Sequence, residues 1–381
     1  MHLGFSNPET SRRISSYAVL PSNLTTRKLF NEVNYLKNSV SKPILAHSRY
    51  RSTGDWGTDS LLSQPINELL QNKPNILPPL DHSRSPSIKK TLASLITPEK
   101  IINCVTRCSY KTKTGSVNGN LKPENQDSFI IKANILGTKG IYLFAVCDGH
   151  GPEGHRVSRF IKEHFGDLVE KNLINYSPLH VLEQAINKLY EKLMDSDIDL
   201  SYSGSTLVSV LVYGDLVVCA NVGDSRAIIA NKKSSWSFKI LSHDHKPENE
   251  TEASRILNAG GRIKAMLGPD LRIWLADRDA PGLSITRSIG DLACRSIGLI
   301  SKPEIIYKRL IPIDQLLILA SDGIWKLIDN QETVEFIGKL RKEGKSEKCC
   351  EKLVNEAIER WREKYKSIDD ITVIVVFLHV K

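Results

Sequence analysis

Apolar positions along the chain fall into two patterns. Residues 140–147, GIYLFAVC, make a nearly unbroken apolar run of strand length. Beyond it, Val157, Phe160, Ile161, Phe165, Leu168 and Val169 recur at three- and four-residue spacing, the period of an amphipathic helix. A second helix is predicted from Pro178, with Leu179, Leu182, Ile186, Leu189 and Leu193 on one face. STLVSVLVY, DLVVCANV and RAIIA follow, separated by turn signals at 214–215 and 223–225, and read as an antiparallel meander. LLILAS and ITVIVVFLHV predict further strands, and helices are predicted at about 248–259, 330–342 and 346–364. Helices come in pairs, strands come in runs, and no βαβ alternation or internal repeat is present. The pattern predicts an α+β fold with packed sheets inside and helices outside.

This periodicity begins near residue 99. Residues 1–98 hold nine of the 17 prolines and many serines, with only short apolar patches such as INELLQN. They are expected to be largely disordered, leaving a folded domain over 99–381. The formal net charge of +9 resides mostly in this segment: residues 1–100 carry 13 Lys and Arg against 7 Asp and Glu. The basicity thus belongs to a solvated tail and argues against a nucleic-acid partner. No apolar run reaches the roughly 18 residues of a membrane span. Seven scattered cysteines without a disulfide or zinc pattern fit a reducing compartment. The cytoplasm is expected, with the nucleus as a second location. The Ser- and Arg-rich N-terminus leaves a transit peptide as the alternative.

The chemistry lies in acids beside strands. Asp127 precedes an apolar run, Asp148 ends the strand in AVCDGHG, and Asp224 sits in a turn between two strands. Asp322 ends another strand in LILASDGIW, and Asp369 and Asp370 open the last one. Each alone is a common turn residue. If these strand ends converge, the carboxylates repel, by roughly 4 kcal/mol for two charges about 4 Å apart at an effective dielectric of 20. Divalent cations such as Mg²⁺ or Mn²⁺ would relieve that repulsion. Gly149 beside Asp148 would let a backbone carbonyl approach such an ion.

In order along residues 100–381, the stretches ENQDSF, VCDGHGPEGH, SGSTLVSVLV, ANVGDSRAIIA, HDHKPENETEASRILNAGGRI, PGLSITRSIGD, GLISKPEI, LILASDGIW and DDITVIVV resemble the metal-dependent protein phosphatases of the 2C type (PP2C). The resemblance implies a four-layer αββα sandwich, two antiparallel sheets flanked by helix pairs. It implies a serine/threonine phosphatase with two Mn²⁺ or Mg²⁺ ions, acting on phosphoserine and phosphothreonine proteins and expected as a monomer. By motif, Asp148 bridges the ions, the Gly149 carbonyl binds one, Asp322 and Asp369 bind the other, and Asp127 supports the centre. A water activated between the ions would attack phosphorus without a covalent phosphoenzyme, and His150 matches the proton donor to the leaving oxygen. Cys147 is then a strand residue and not a nucleophile.

Three positions depart from the family pattern. Lys122 stands where many members carry a phosphate-gripping Arg, and lysine lacks the bidentate fork. Gln126 stands where some carry Glu. Lys326 stands where many have an Asp that, with a residue matching Asp224, contributes to a third, weaker ion site. An ammonium there would repel a third ion and pair with Asp224 instead, so two ions are expected. Residues 260–284 resemble the variable flap beside the site, with Trp274 expected to pack its base. The competing reading is a pseudophosphatase, the same fold used as a binding or scaffold module.

Overall fold

The computed structural model describes residues 101–266 and 270–380. The segment expected over residues 1–98 lies outside the described residues. In chain order the strands are β1 (Val105–Lys113), β2 (Ser116–Val117), β3 (Asn120–Leu121), β4 (Asp127–Ala133), β5 (Ile141–His150), β6 (Gly204–Ser205), β7 (Leu207–Tyr213), β8 (Leu216–Val222), β9 (Arg226–Lys232), β10 (Trp236–Ile240), β11 (Arg262–Ala265), β12 (Leu271–Trp274), β13 (Pro281–Leu283), β14 (Ile289–Gly290), β15 (Glu304–Arg309), β16 (Asp314–Ala320), β17 (Ser367–Ile368) and β18 (Ile371–Leu378). The helices are α1 (Gly154–Leu173), α2 (Pro178–Met194), α3 (Glu250–Asn258), α4 (Asp322–Trp325), α5 (Asn330–Lys342) and α6 (Cys349–Lys364).

Two antiparallel sheets carry the fold. One runs β1-β18-β16-β9-β10. In the other, β5 lies between β4 and the β6–β7 strand, followed by β8 and β15, with β14 on β6. Alternation along each strand explains the layers. In β5, Leu143, Ala145 and Cys147 face a core shared with α1 and α2, whereas Phe144 and Val146 face the opposite sheet. In β18, Val373, Val375 and Phe377 pack under α5 and α6, whereas Ile374, Val376 and Leu378 enter the space between the sheets. Both faces are covered, which is why these strands read as unbroken apolar runs. The result is the expected αββα order, with one helix pair outside each sheet. Each fully buried Val, Ile or Leu in these layers contributes about 1.5–3 kcal/mol of apolar transfer energy.

The helices start where local chemistry favours it. Asn249 caps α3 by accepting from the Thr251 N–H, and Asp329 caps α5 by accepting from the Glu332 N–H. Proline at the first position of α2 lacks only an N–H that would have had no intrahelical partner. Together, α3 and β11–β13 build a small lobe around Ile256, Ile273, Cys294, Ile297 and Leu299.

Two expectations are corrected. The strand predicted to end at Cys147 runs on through Asp148 and Gly149 to His150, because β6 continues its ladder at Gly149 and His150. The three-stranded meander does not form. β7 and β8 do pair, but β9 pairs with β16 and β10 in the other sheet. Gly223, at φ 104°, lets the chain turn from one sheet to the other, and a Cβ there would lie 2.6 Å from the Thr206 side chain. That crossing places Asp224 at the same end of the sandwich as the other acids.

Candidate active site

The acids gather at one end of the two sheets. Asp127 opens β4 and stands opposite Asp148 on β5. It is buried; one carboxylate oxygen accepts the Ser321 hydroxyl at 2.8 Å, while the other, Oδ1, has no partner among the described residues. The backbone N–H of Asp148 donates to Thr206 Oγ1, which is 2.7 Å from Ser225 Oγ, so hydroxyls brace the strand end from both sheets. Asp322 starts α4, directly after β16, and its Oδ1 also lacks a partner. Asp224 is buried in the crossover.

Burial dominates the electrostatics. It pushes Asp127 up to about 8 against the opposing Ser321 hydrogen bond, with the Asp370 and Asp369 charges adding to the rise. Asp322 is pushed up to about 7 by burial and by the Asp224 and Asp369 charges. Asp148 rises well above the usual carboxylate range through burial and then repulsion from Asp127, Asp322, Asp369 and Asp224. Asp224 rises for the same first cause, opposed by Lys246.

Asp369 is more open. Its Oδ1 accepts the Lys122 ammonium at 2.8 Å, and Lys122 also reaches Asp370 Oδ2 at 3.3 Å. The carboxylates overcome burial and raise the lysine's pKa, so it stays charged. Asp370, which the sequence reading treated only as a neighbour, is the anchor. Its carboxylate accepts the Gly115 N–H at 2.7 Å and the Gln126 N–H at 3.0 Å. This fastens the β2–β3 hairpin and the chain before β4 to the start of β18. The Gln126 amide donates to the Gly151 carbonyl at 2.8 Å, while the Gly149 N–H donates to the Gln126 carbonyl at 3.0 Å. A Cβ on Gly149 would sit 2.3 Å from the Gly154 carbonyl oxygen, so close backbone packing holds the turn.

The expected pairing of Lys326 with Asp224 is not found. Lys246 takes that place, with its ammonium 3.2 Å from Asp224 Oδ2. Lys326 instead lies over the Trp361 ring, 5.6 Å from its centroid, with Asp270 at 3.9 Å. The motif HDHKPEN held the signal for Lys246, but no local spacing ties it to a residue 22 positions earlier. Trp274 packs as expected within the small lobe, donating its indole N–H to the Lys264 carbonyl at 3.0 Å. His150 places Nε2 2.6 Å from Asp291 Oδ2, a contact the sequence reading missed.

The family profile described as "Protein phosphatase 2C" matches residues 112–364 of this chain. The chain belongs to the protein phosphatase 2C family. It is 36% identical over 278 residues to "Probable protein phosphatase 2C 72" of Arabidopsis thaliana, spanning 68% of this chain and 82% of that one. It is 34% identical over 297 residues to "Probable protein phosphatase 2C 73" of Oryza sativa subsp. japonica, spanning 68% and 70%. The crystal structure of a serine-threonine phosphatase 2C from Toxoplasma gondii superposes with a TM-score of 0.61 at 22% identity, covering 73% of this chain and 98% of that one, a likeness of fold. This phosphatase 2C chain is accordingly a protein serine/threonine phosphatase, and its family implies divalent-metal dependence. No helix among the described residues is long and apolar enough to cross a membrane.

Whether these residues suit such ions follows from the donors. Among the described residues, no three acidic, histidine or cysteine side chains already close on a common point as a ready cage. The donor set is nevertheless of the right kind: hard carboxylate oxygens, two of them buried without partners, beside backbone pinned at Gly149. Buried carboxylates left this way are costly unless positive charge arrives, and Lys122 and Lys246 neutralise only part of the cluster.

Proposed function

We propose that this chain hydrolyses phosphoserine and phosphothreonine in proteins with two divalent cations, Mn²⁺ or Mg²⁺, and water as the attacking group. The observation that carries this reading is the set of buried acids Asp127, Asp148, Asp224 and Asp322 at one end of the sandwich. Burial raises the pKa of all four. Asp148, the Gly149 carbonyl, Asp322 and Asp369 hold the ions, and Asp127 supports them. When bound, the ions supply charge that offsets the carboxylates, polarises the phosphoryl oxygens and acidifies water.

The remaining chemistry belongs to side chains. Lys122, fixed between Asp369 and Asp370, supplies a point charge toward phosphate. His150 gives its proton to the serine or threonine oxygen as the P–O bond breaks. Cys147 takes no part: it is fully buried, faces the helix-side core, and its thiol is pushed up by burial. The phosphoprotein substrates approach the open side, where Asp369 lies.

The test is hydrolysis of a phosphothreonine peptide with added Mn²⁺, with and without chelator, alongside calorimetric titration of Mn²⁺. The reading requires metal-dependent, chelator-sensitive turnover, and binding that Asp148→Ala and Asp322→Ala both abolish. Chelator-insensitive turnover, or either variant retaining wild-type turnover at saturating Mn²⁺, overturns it.

A further inference from the structure

His150 is the last residue of β5, and its ring is backed by a buried acid. Its Nε2 lies 2.6 Å from Asp291 Oδ2, and the Ser288 hydroxyl donates to that same oxygen. Asp291 is 1% exposed, while the His150 side chain is 24% exposed. The acid is therefore sealed behind a ring that still meets solvent.

Three strands hold this arrangement. Gly204 on β6 pairs with His150 on β5 and with Gly290 on β14. A Cβ on Gly204 would lie 2.3 Å from Asp291 Oδ2, 2.5 Å from Ser288 Oγ and 3.0 Å from His150 Nε2. Only glycine leaves room there. Asp291 itself sits in the left-handed region at φ 50°, with its N–H donating to the Ser203 carbonyl at 2.9 Å. Arg295 clamps the turn from outside, donating to the Ser288 carbonyl at 3.0 Å and the Gly290 carbonyl at 2.9 Å. A left-handed non-glycine residue such as Asp291 is a strained feature, and the surrounding bonds over-determine it.

We propose that Asp291, steadied by Ser288, is the positioning residue for His150. Its carboxylate accepts a hydrogen bond from Nε2–H and fixes the ring plane, leaving Nδ1 as the nitrogen that hands its proton to the leaving oxygen. The P–O bond breaks as the Nδ1–H proton moves to the serine or threonine oxygen, and His150 regains a proton from water. This inference rests on the proton-donor role given to His150 above.

The test compares a phosphothreonine peptide, whose leaving oxygen needs a proton, with 4-nitrophenyl phosphate, whose leaving group does not. At saturating Mn²⁺, His150→Ala lowers the ratio of the two kcat values by about 100-fold. Asp291→Asn, nearly isosteric, lowers the same ratio by at least about 10-fold with little change in KM, and the double variant is no worse than His150→Ala alone. Ser288→Ala shifts the ratio in the same direction by a smaller factor. With ¹⁵N-histidine labelling, the ring signals absent in His150→Ala are displaced in Asp291→Asn. An Asp291→Asn variant that slows both substrates equally, or whose loss adds to that of His150→Ala, shows a merely structural role and overturns the proposal. His150→Ala leaving the ratio unchanged removes the proton-donor reading itself, and the proposal with it; that arm reads His150 alone.

Discussion

Asp127 and Asp148 face each other across neighbouring strands as a directly paired cross-strand couple. Like charges in that position are destabilising in an ordinary sheet. Here both are drawn into an interior that raises their pKa values, Asp127 to about 8. The folded, metal-free protein then holds protons that the unfolded chain has released above about pH 4. Its stability falls as pH rises from there toward 8. A thermal melt in chelator is expected to show Tm lower at pH 8 than at pH 5 from this cluster. Mn²⁺ should restore Tm at pH 8 by mass action. Asp148→Asn should raise Tm in chelator and lose the Mn²⁺ response.

Gly149 leaves no room for a methyl group. Alanine there brings Cβ to 2.3 Å from the Gly154 oxygen and 2.6 Å from the Gln126 oxygen, both backbone atoms. Gly149→Ala should cost about 3 kcal/mol in urea unfolding and displace the chain carrying Asp148 and His150. Unchanged stability would show that this turn gives way easily.

The two lysines nearest Asp224 and Asp322 should differ. Lys246 pairs with a buried carboxylate, so Lys246→Met leaves Asp224 without its partner. The expected loss is about 2 kcal/mol, below that of a fully buried pair because the lysine is a third exposed. Lys326 rests on Trp361 and is held only loosely by Asp270, so Lys326→Ala should cost under about 1 kcal/mol. Equal losses would show that both ammoniums share the acid cluster.

His245 supplies a pH effect of opposite sign. It is buried, its Nδ1 accepts the Gly223 N–H at 3.1 Å, and its Nε2 has no partner among the described residues. Burial, and then the Arg287 charge, lower its pKa to about 4. The unfolded chain takes up a proton below about 6.5 while the folded protein does not, so stability falls as pH drops from 6.5 toward 4. The full effect is about 3 kcal/mol. Urea unfolding of wild type and His245→Gln between pH 7 and 4 isolates it, since the acid cluster is common to both. The variant should be less sensitive to acid, and parallel curves would show that His245 protonates in the folded state.

The layers were legible because burial on both faces writes itself into β5, β16 and β18 as long apolar runs. The acids were legible because each interrupts or borders such a run. The β8-to-β9 crossing was not, because a three-residue link that changes sheets has the same turn chemistry as one that closes a hairpin; only the partners of β9 distinguish them. Lys246 on Asp224 and Asp291 on His150 were equally hidden. Each contact joins residues from different motifs, and periodicity reports which face a residue takes, not what it meets there. Lys326 was misplaced for the same reason: its long stem turns to Trp361.

One strand sets when this protein can become active during synthesis. β18 lies in the middle of its sheet, between β1 and β16. Asp369 and Asp370 immediately precede it, while Lys122, which grips both, was made 247 residues before Asp369. On the ribosome, chains fold from the N-terminus as they emerge. The sheet of β4, β5, β7, β8 and β15 can close early, but β1 must wait with an unpaired edge for its neighbour. A chain stopped just after Asp370 carries all the acids but lacks the strand between β1 and β16, so such a truncation is expected to show no phosphatase activity.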